Sequence, residues 1–152
     1  MSADSERLED IVRQMQTRGY RLTPQRMAIV RAVLEDHAHP SVEQIYRQVS
    51  AVFPMLSLAT VYKTLHVLKE LGVVTELRVD GCSHYDVAAG PHAHFVCVEC
   101  QAIIDLPAEV MVSLSDQALA EAGFRVLWRN VAVYGLCRQC QQRPETQDTT
   151  GA

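Results

Sequence analysis

Two Cys-x-x-Cys pairs, Cys97-Val98-Glu99-Cys100 and Cys137-Arg138-Gln139-Cys140, stand 36 residues apart in a chain of 152 residues with five cysteines. Each pair offers two thiolates on a tight turn, and four thiolates are the tetrahedral sulfur set of a structural zinc. A redox-active pair, or plain buried cysteines, is the competing reading. Cys82 stands alone. Just before the first pair, His92-Ala93-His94 points two imidazoles the same way if the segment is extended. Asp105 falls on the next predicted strand, Asp86 ends a predicted hairpin, and His39 sits between two predicted helices. Each of these alone reads as a solvated side chain. They are taken together because Asp86 through His94 spans the junction between two halves of the chain.

The elements that must position these groups follow from periodicity. Leu8, Ile11, Val12 and Met15 mark one face of a first helix, with Gly19 as its stop. Thr23-Pro24 is an N-cap and first-turn proline for a second helix carrying Met27, Val30, Val33 and Leu34. Ser41 caps a third helix, with Val42, Ile45, Tyr46 and Val49 inward, and Pro54 breaks the chain. Ser57 caps a fourth helix whose expected buried stripe is Leu58, Val61, Leu65 and Leu68, ending near Gly72. Runs from Val73 to Val79 and Ser83 to Val87 flank Asp80-Gly81, a strong hairpin signal.

Helices at this spacing closed by a hairpin predict a winged helix-turn-helix over 1–87. Ala88-Ala89-Gly90-Pro91 has the composition of a hinge. The segment 92–141 reads β, helix, β: strands at His94 to Cys97, Ala102 to Leu106 and within Phe124 to Tyr134, and a helix face of Met111, Leu114, Ala118 and Ala122 capped by Gly123. The fold class is therefore α+β, with a small second domain that needs a metal staple and oligomerisation. Residues 142–152 read as a loose polar tail.

Composition excludes a collagen-like or wholly disordered chain, since 48% of residues are hydrophobic and 21% charged. No apolar run reaches the roughly 18 residues of a membrane span. The first residues, Met1-Ser2-Ala3-Asp4-Ser5-Glu6, are polar and acidic, so a cytoplasmic protein without a secretory signal is expected. That reducing setting favours zinc over disulfides.

The net charge of −4 argues against nucleic acid, but residues 1–80 hold 10 Lys/Arg against 10 Asp/Glu, and the second half carries the whole deficit with 4 against 8. A basic face on the first half remains open. With Val61 buried, Ala59, Tyr62, Lys63 and His66 fall on the outer face of the fourth helix, where they suit phosphates and base edges. Ser57 and the free amides at the helix start suit a phosphate, and Arg21 and Arg26 suit backbone contacts. An ordinary solvated helix face is the alternative.

Four segments in order make the sequence similar to the ferric uptake regulator (Fur) family. They are Arg21-Leu22-Thr23-Pro24-Gln25-Arg26, Ser57-Leu58-Ala59-Thr60-Val61-Tyr62-Lys63-Thr64-Leu65, His92-Ala93-His94-Phe95-Val96-Cys97-Val98-Glu99-Cys100 and Tyr134-Gly135-Leu136-Cys137-Arg138-Gln139-Cys140. The resemblance covers about residues 8–141. It implies a homodimeric, metal-responsive repressor and no enzyme: the winged helix binds palindromic operator DNA, Thr60 included in its reading helix, and the second domain dimerises.

Residue by residue, the resemblance puts structural Zn(II) on Cys97, Cys100, Cys137 and Cys140. It puts a regulatory metal on His39, Asp86, His92, His94 and Asp105. Three imidazoles and two carboxylates suit Fe(II) or Mn(II). Asp at both 86 and 105 is similar to the peroxide-sensing branch (PerR), where Fe(II) and peroxide oxidise a histidine, His39 and His92 being the candidates. Iron-uptake (Fur) and zinc-uptake (Zur) repressors are the alternatives, the latter with Zn(II) as regulatory metal and Cys82 as a nearby thiolate. A further family metal site draws a histidine from the strand before Tyr134-Gly135, where this chain has Arg129 and Asn130. Outside the family, a zinc-dependent hydrolase using His92, His94 and an aspartate lacks an obvious general base and any His-Glu-x-x-His. A purely structural zinc-ribbon module would show no metal-dependent DNA affinity.

Overall fold

A computed structural model describes residues 3–36, 38–87, 92–107, 109–110, 115–126 and 131–143. The expected hinge at 88–91, Met111, Leu114, Arg129, Asn130 and most of the tail lie outside them. The chain forms two compact units, Met1–Pro91 and His92–Ala152.

The described residues of the first unit form the helices α1 (Ala3–Thr17), α2 (Pro24–Glu35), α3 (Val42–Ser50) and α4 (Leu58–Glu70), and the strands β1 (Val74–Val79) and β2 (Cys82–Val87). The helix starts follow from capping. Thr23 accepts from the Arg26 N–H with Pro24 in the first turn. Ser41 and Gln44 exchange bonds in a capping box, and Ser57 accepts from the Thr60 N–H. Asp80 and Gly81 have φ of 48° and 78°, the two left-handed residues that a tight hairpin turn requires. The antiparallel register runs from Val74 opposite Val87 to Val79 opposite Cys82. This is a winged helix.

Its core gathers Met15, Ile29, Ile45, Val61, Leu65 and Leu68, each at most 1% exposed. Emptying one such site, as in Leu65→Ala, costs about 2–5 kcal/mol. The expected stripe of α4 needs one correction: Leu58 is 40% exposed. It occupies the first helical position, at the end of the helix and off the centre of the buried stripe, and Leu56 before the helix is buried instead. Met27 is half-buried, and Tyr46, also half-buried, packs against this core as expected.

The second unit contains β3 (Ala93–Cys97), β4 (Ile103–Leu106), the short helix α5 (Asp116–Glu121), β5 (Val131–Gly135) and the single turn α6 (Arg138–Gln141). The sheet order is β4-β3-β5, with β3 antiparallel to β4 and parallel to β5. A parallel pair needs a crossover, and the segment bearing α5 makes it. Ser115 caps α5, and Gly123 closes it at φ 87°, with the Phe124 N–H bonded to the Leu119 carbonyl. Ala118 and Ala122, the two described residues of the expected helix face, are exposed. Gly135 packs close to the Phe95 ring: a Cβ there would meet it at 3.2 Å, so the ring would have to give by a few tenths of an ångström. Among the described residues no helix is long and apolar enough to cross a membrane.

Candidate metal sites and nucleic-acid face

The sheet register of the second unit makes a thiol site. The chain reverses between β3 and β4 with the Gln101 N–H bonded to the Cys97 carbonyl and Gln101 at φ 62°, which sets Cys97 and Cys100 on one turn. Cys97 pairs with Gly135 across the parallel ladder, and Cys137 follows as the N-cap of α6. All five cysteines are free thiols. The Sγ atoms of Cys97, Cys100, Cys137 and Cys140 lie within 4.8 Å of one another, and those of Cys100 and Cys137 are 3.8 Å apart. Four sulfurs about 2.3 Å from one zinc ion are about 3.8 Å apart at the edges of a tetrahedron. The residues fit.

The electrostatics agree with that fit. Backbone N–H groups of Cys100 and Cys137 draw the Cys97 thiol down to about 6, the Cys137 amide lying 3.4 Å from its sulfur. Burial, then the neighbouring sulfurs, push Cys140 up to about 12. Several thiolates this close repel one another, and a divalent cation is the group that lets all four ionise.

The histidines and carboxylates assemble within each unit. In the first, His39 is 5% exposed and its Nε2 is 3.6 Å from Asp86 Oδ1. In the second, His94 pairs directly with Asp105 across the β3–β4 ladder, and His94 Nε2 is 3.4 Å from Asp105 Oδ1. The His92 and His94 rings lie 4.6 Å apart, as two imidazoles on one side of an extended segment must. Both His–Asp separations exceed an ordinary hydrogen bond of up to about 3.2 Å. They match the roughly 2.8–3.6 Å between two donors sharing an ion through bonds of 2.0–2.2 Å. Cys82 is at the hairpin tip, four residues along β2 from Asp86 and so about 13 Å away along an extended strand.

On the winged helix, Ala59, Tyr62, Lys63 and His66 are exposed, as expected. Tyr62, Lys63 and His66 line a groove of about 850 Å³ whose other wall is the hairpin with Arg78 and Cys82. Three expected contacts have other work. The Ser57 hydroxyl caps α4 and is 2.8 Å from the Thr60 hydroxyl, so both oxygens are engaged within the helix start. Arg26 donates to the Arg21 carbonyl at 2.8 Å, while Arg21 itself is exposed.

The sequence reading missed the hairpin's own charges. Arg78 is 78% exposed. Lys69 at the end of α4 pairs with Glu76 on β1 at 2.5 Å, and with the Ser83 hydroxyl it holds the Glu76 carboxyl below its ordinary range. An alternating Glu76-Leu77-Arg78 run ahead of Asp80-Gly81 was the available signal.

A family model described as the ferric uptake regulator family matches residues 17–134. The chain belongs to the ferric uptake regulator family. The Fur assignment excludes the hydrolase alternative, because members of this family are regulators and not enzymes. Among Fur-family relatives, the peroxide-responsive repressor PerR of Staphylococcus saprophyticus is 35% identical over 148 residues, covering 94% of this chain and 100% of that protein. The structure of the Campylobacter jejuni peroxide stress regulator aligns at TM-score 0.66 with 28% identity, over 92% of this chain and 100% of that one. The Helicobacter pylori ferric uptake regulator, whose structure is described as having three functional metal binding sites, aligns at TM-score 0.77 over 93% and 96%. At 19% identity it speaks to fold alone.

Proposed function

We propose that this Fur-family metalloregulator is a cytoplasmic homodimeric repressor whose grip on operator DNA depends on Fe(II) or Mn(II) and is released by peroxide. The observation that carries it is the directly paired His94 and Asp105 on β3 and β4, in a chain 35% identical to a peroxide-responsive repressor over nearly its full length. In this reading Cys97, Cys100, Cys137 and Cys140 hold structural Zn(II), and His39, Asp86, His92, His94 and Asp105 hold the regulatory ion. His39 and Asp86 come from the winged helix, and the other three come from the second unit. An ion that draws on both sets stabilises one arrangement of the reading heads. Shifting such an equilibrium from 1:99 to 99:1 takes about 5.5 kcal/mol of differential binding.

Tyr62, Lys63 and His66 face the DNA, with Ala59 beside them. Arg21, Arg26, Ser57 and Thr60 shape the approach to it. Dimerisation uses the second unit, where β5 is an edge strand and Ile104 and Val133, both paired with Phe95 and so on one face of the sheet, are each more than 40% exposed, a surface a second copy would cover. When bound, Fe(II) would act as electron relay in a two-electron reaction in which one oxygen of peroxide enters His39 or His92 and the other leaves as water, and Mn(II) would support DNA binding without it. The test is DNA binding titrated separately with Mn(II), Fe(II) and Zn(II), then repeated after peroxide. A zinc-uptake repressor would respond to Zn(II) alone, an iron-uptake repressor to Fe(II) without loss after peroxide, and a structural module to no metal.

A further inference from the structure

One hydrogen bond in the winged helix ties the hairpin to the loop carrying His39, and its donor belongs to none of the ligand sets above. His84 Nδ1 lies 2.8 Å from the His39 carbonyl oxygen. A carbonyl only accepts, so Nδ1 carries the proton. The neighbouring backbone strengthens the tie: the Tyr85 N–H donates to the Pro40 carbonyl at 3.0 Å, and Ser41 and His84 form an isolated antiparallel bridge. His39 itself has φ 55°, a left-handed conformation that an L side chain keeps only where its surroundings impose it.

The spacing on β2 gives this tie a purpose. His84 and Asp86 are two residues apart on one strand, and so share a face. One of them bonds the backbone of residue 39, while the other stands 3.6 Å from its imidazole Nε2. The same strand thus sets both the backbone and the ring of a buried histidine.

We infer that His84 is a positioning residue for the regulatory metal: its Nδ1–H, donated to the His39 carbonyl, holds His39 in the left-handed conformation that presents its Nε2 beside Asp86. The inference rests on the reading of His39 and Asp86 as ligands. Groups that orient a metal ligand typically govern affinity by about 10–100-fold. What position 84 must supply is a single N–H donor. Asparagine can place one near the Nδ1 position, whereas phenylalanine or alanine cannot.

The experiment uses the full-length, zinc-loaded protein and Mn(II) alone as the probe, with free Mn(II) counted by electron paramagnetic resonance. His84→Phe and His84→Ala are expected to weaken Mn(II) binding about 10–100-fold while leaving the zinc content unchanged and the Mn-free protein folded, its melting temperature lower by no more than a few degrees. His84→Asn is expected to restore affinity to within a few-fold of the unmodified protein. Either donor-free variant binding Mn(II) as tightly as the unmodified protein overturns the inference, and so does equal loss in His84→Asn. If His39→Ala and Asp86→Ala leave Mn(II) binding unchanged, the ligand reading beneath it is what fails.

Discussion

His94 and Asp105 stand directly opposite each other on antiparallel strands, with Nε2 and Oδ1 3.4 Å apart. Nothing in their sequence separation announces the pairing. It follows from a turn at Cys97–Ala102 that brings β4 back beside β3 in one register, so the thiol turn and the His–Asp pair are two results of one chain reversal. Asp105→Ala removes a charged donor from the proposed regulatory set and leaves the four cysteines alone. Mn(II) affinity measured by calorimetry should fall by at least the roughly 10–100-fold that losing a group which orients a ligand costs, with one zinc per chain retained. Undiminished affinity would take Asp105 out of the site.

The cysteine set should titrate. Zinc requires thiolates, and protons compete for them, so the zinc site is favoured as pH rises and released as pH falls. Cys97, drawn down to about 6, is already largely ionised at neutral pH, whereas Cys140, pushed to about 12, is not. Zinc binding to the reduced apoprotein at pH 7 should therefore release fewer than four protons but more than none, as read by calorimetry in buffers of different ionisation heat. Cys97→Ser or Cys137→Ser should lose the metal and the dimer together. A zinc-free variant that remains a dimer would show that the staple is dispensable.

Glu76 contributes a second pH-dependent term. Its carboxyl is held below its ordinary value of 4.5 by Lys69 and the Ser83 hydroxyl. The stabilisation is therefore fully present above about 4.5 and lost as pH falls through the lower folded value. Lys69 is half exposed, so solvent screening limits the pair to about 1 kcal/mol or less. Glu76→Gln should lower the urea midpoint slightly at pH 7 and match the unmodified protein in strong acid. A deficit that persists unchanged at low pH would assign the effect to packing.

The outer face of α4 carries the DNA prediction. Tyr62→Ala and Lys63→Ala should weaken binding to a duplex selected from a random pool by the metal-loaded protein. If Lys63 meets a phosphate, its removal should also reduce the salt slope of log K by about 1. Both changes lie outside the core, so melting should barely move. Full affinity in both variants would remove α4 as the reader.

Local chemistry was legible in the sequence wherever a single residue type does one job. Thr23-Pro24, Ser41, Ser57 and Asp80-Gly81 all act where their side chains or backbones are suited to act, and the paired cysteines converge. What was not legible depended on register or on competition between partners. The His94–Asp105 pairing needed the β3–β4 alignment. The Ser57 and Thr60 hydroxyls turned out to bond each other, Arg26 turned back to the Arg21 carbonyl, and Leu58, at the first position of α4, stayed outside the core. A helical-wheel projection assigns faces, but it carries no information on which neighbour a side chain will choose.

The central claim is that Fe(II) makes the protein both able to bind DNA and vulnerable to peroxide. The most direct measurement loads zinc-replete protein with Fe(II) or Mn(II) in the absence of oxygen, adds low peroxide, and follows DNA binding alongside peptide masses. The account predicts that the Fe(II) form loses DNA binding as the peptide carrying His39 or His92 gains oxygen, that the Mn(II) form is unaffected, and that Asp105→Glu keeps metal-dependent binding with a blunted response. Fe(II)-loaded protein that stays on DNA after peroxide with its histidines intact would contradict it.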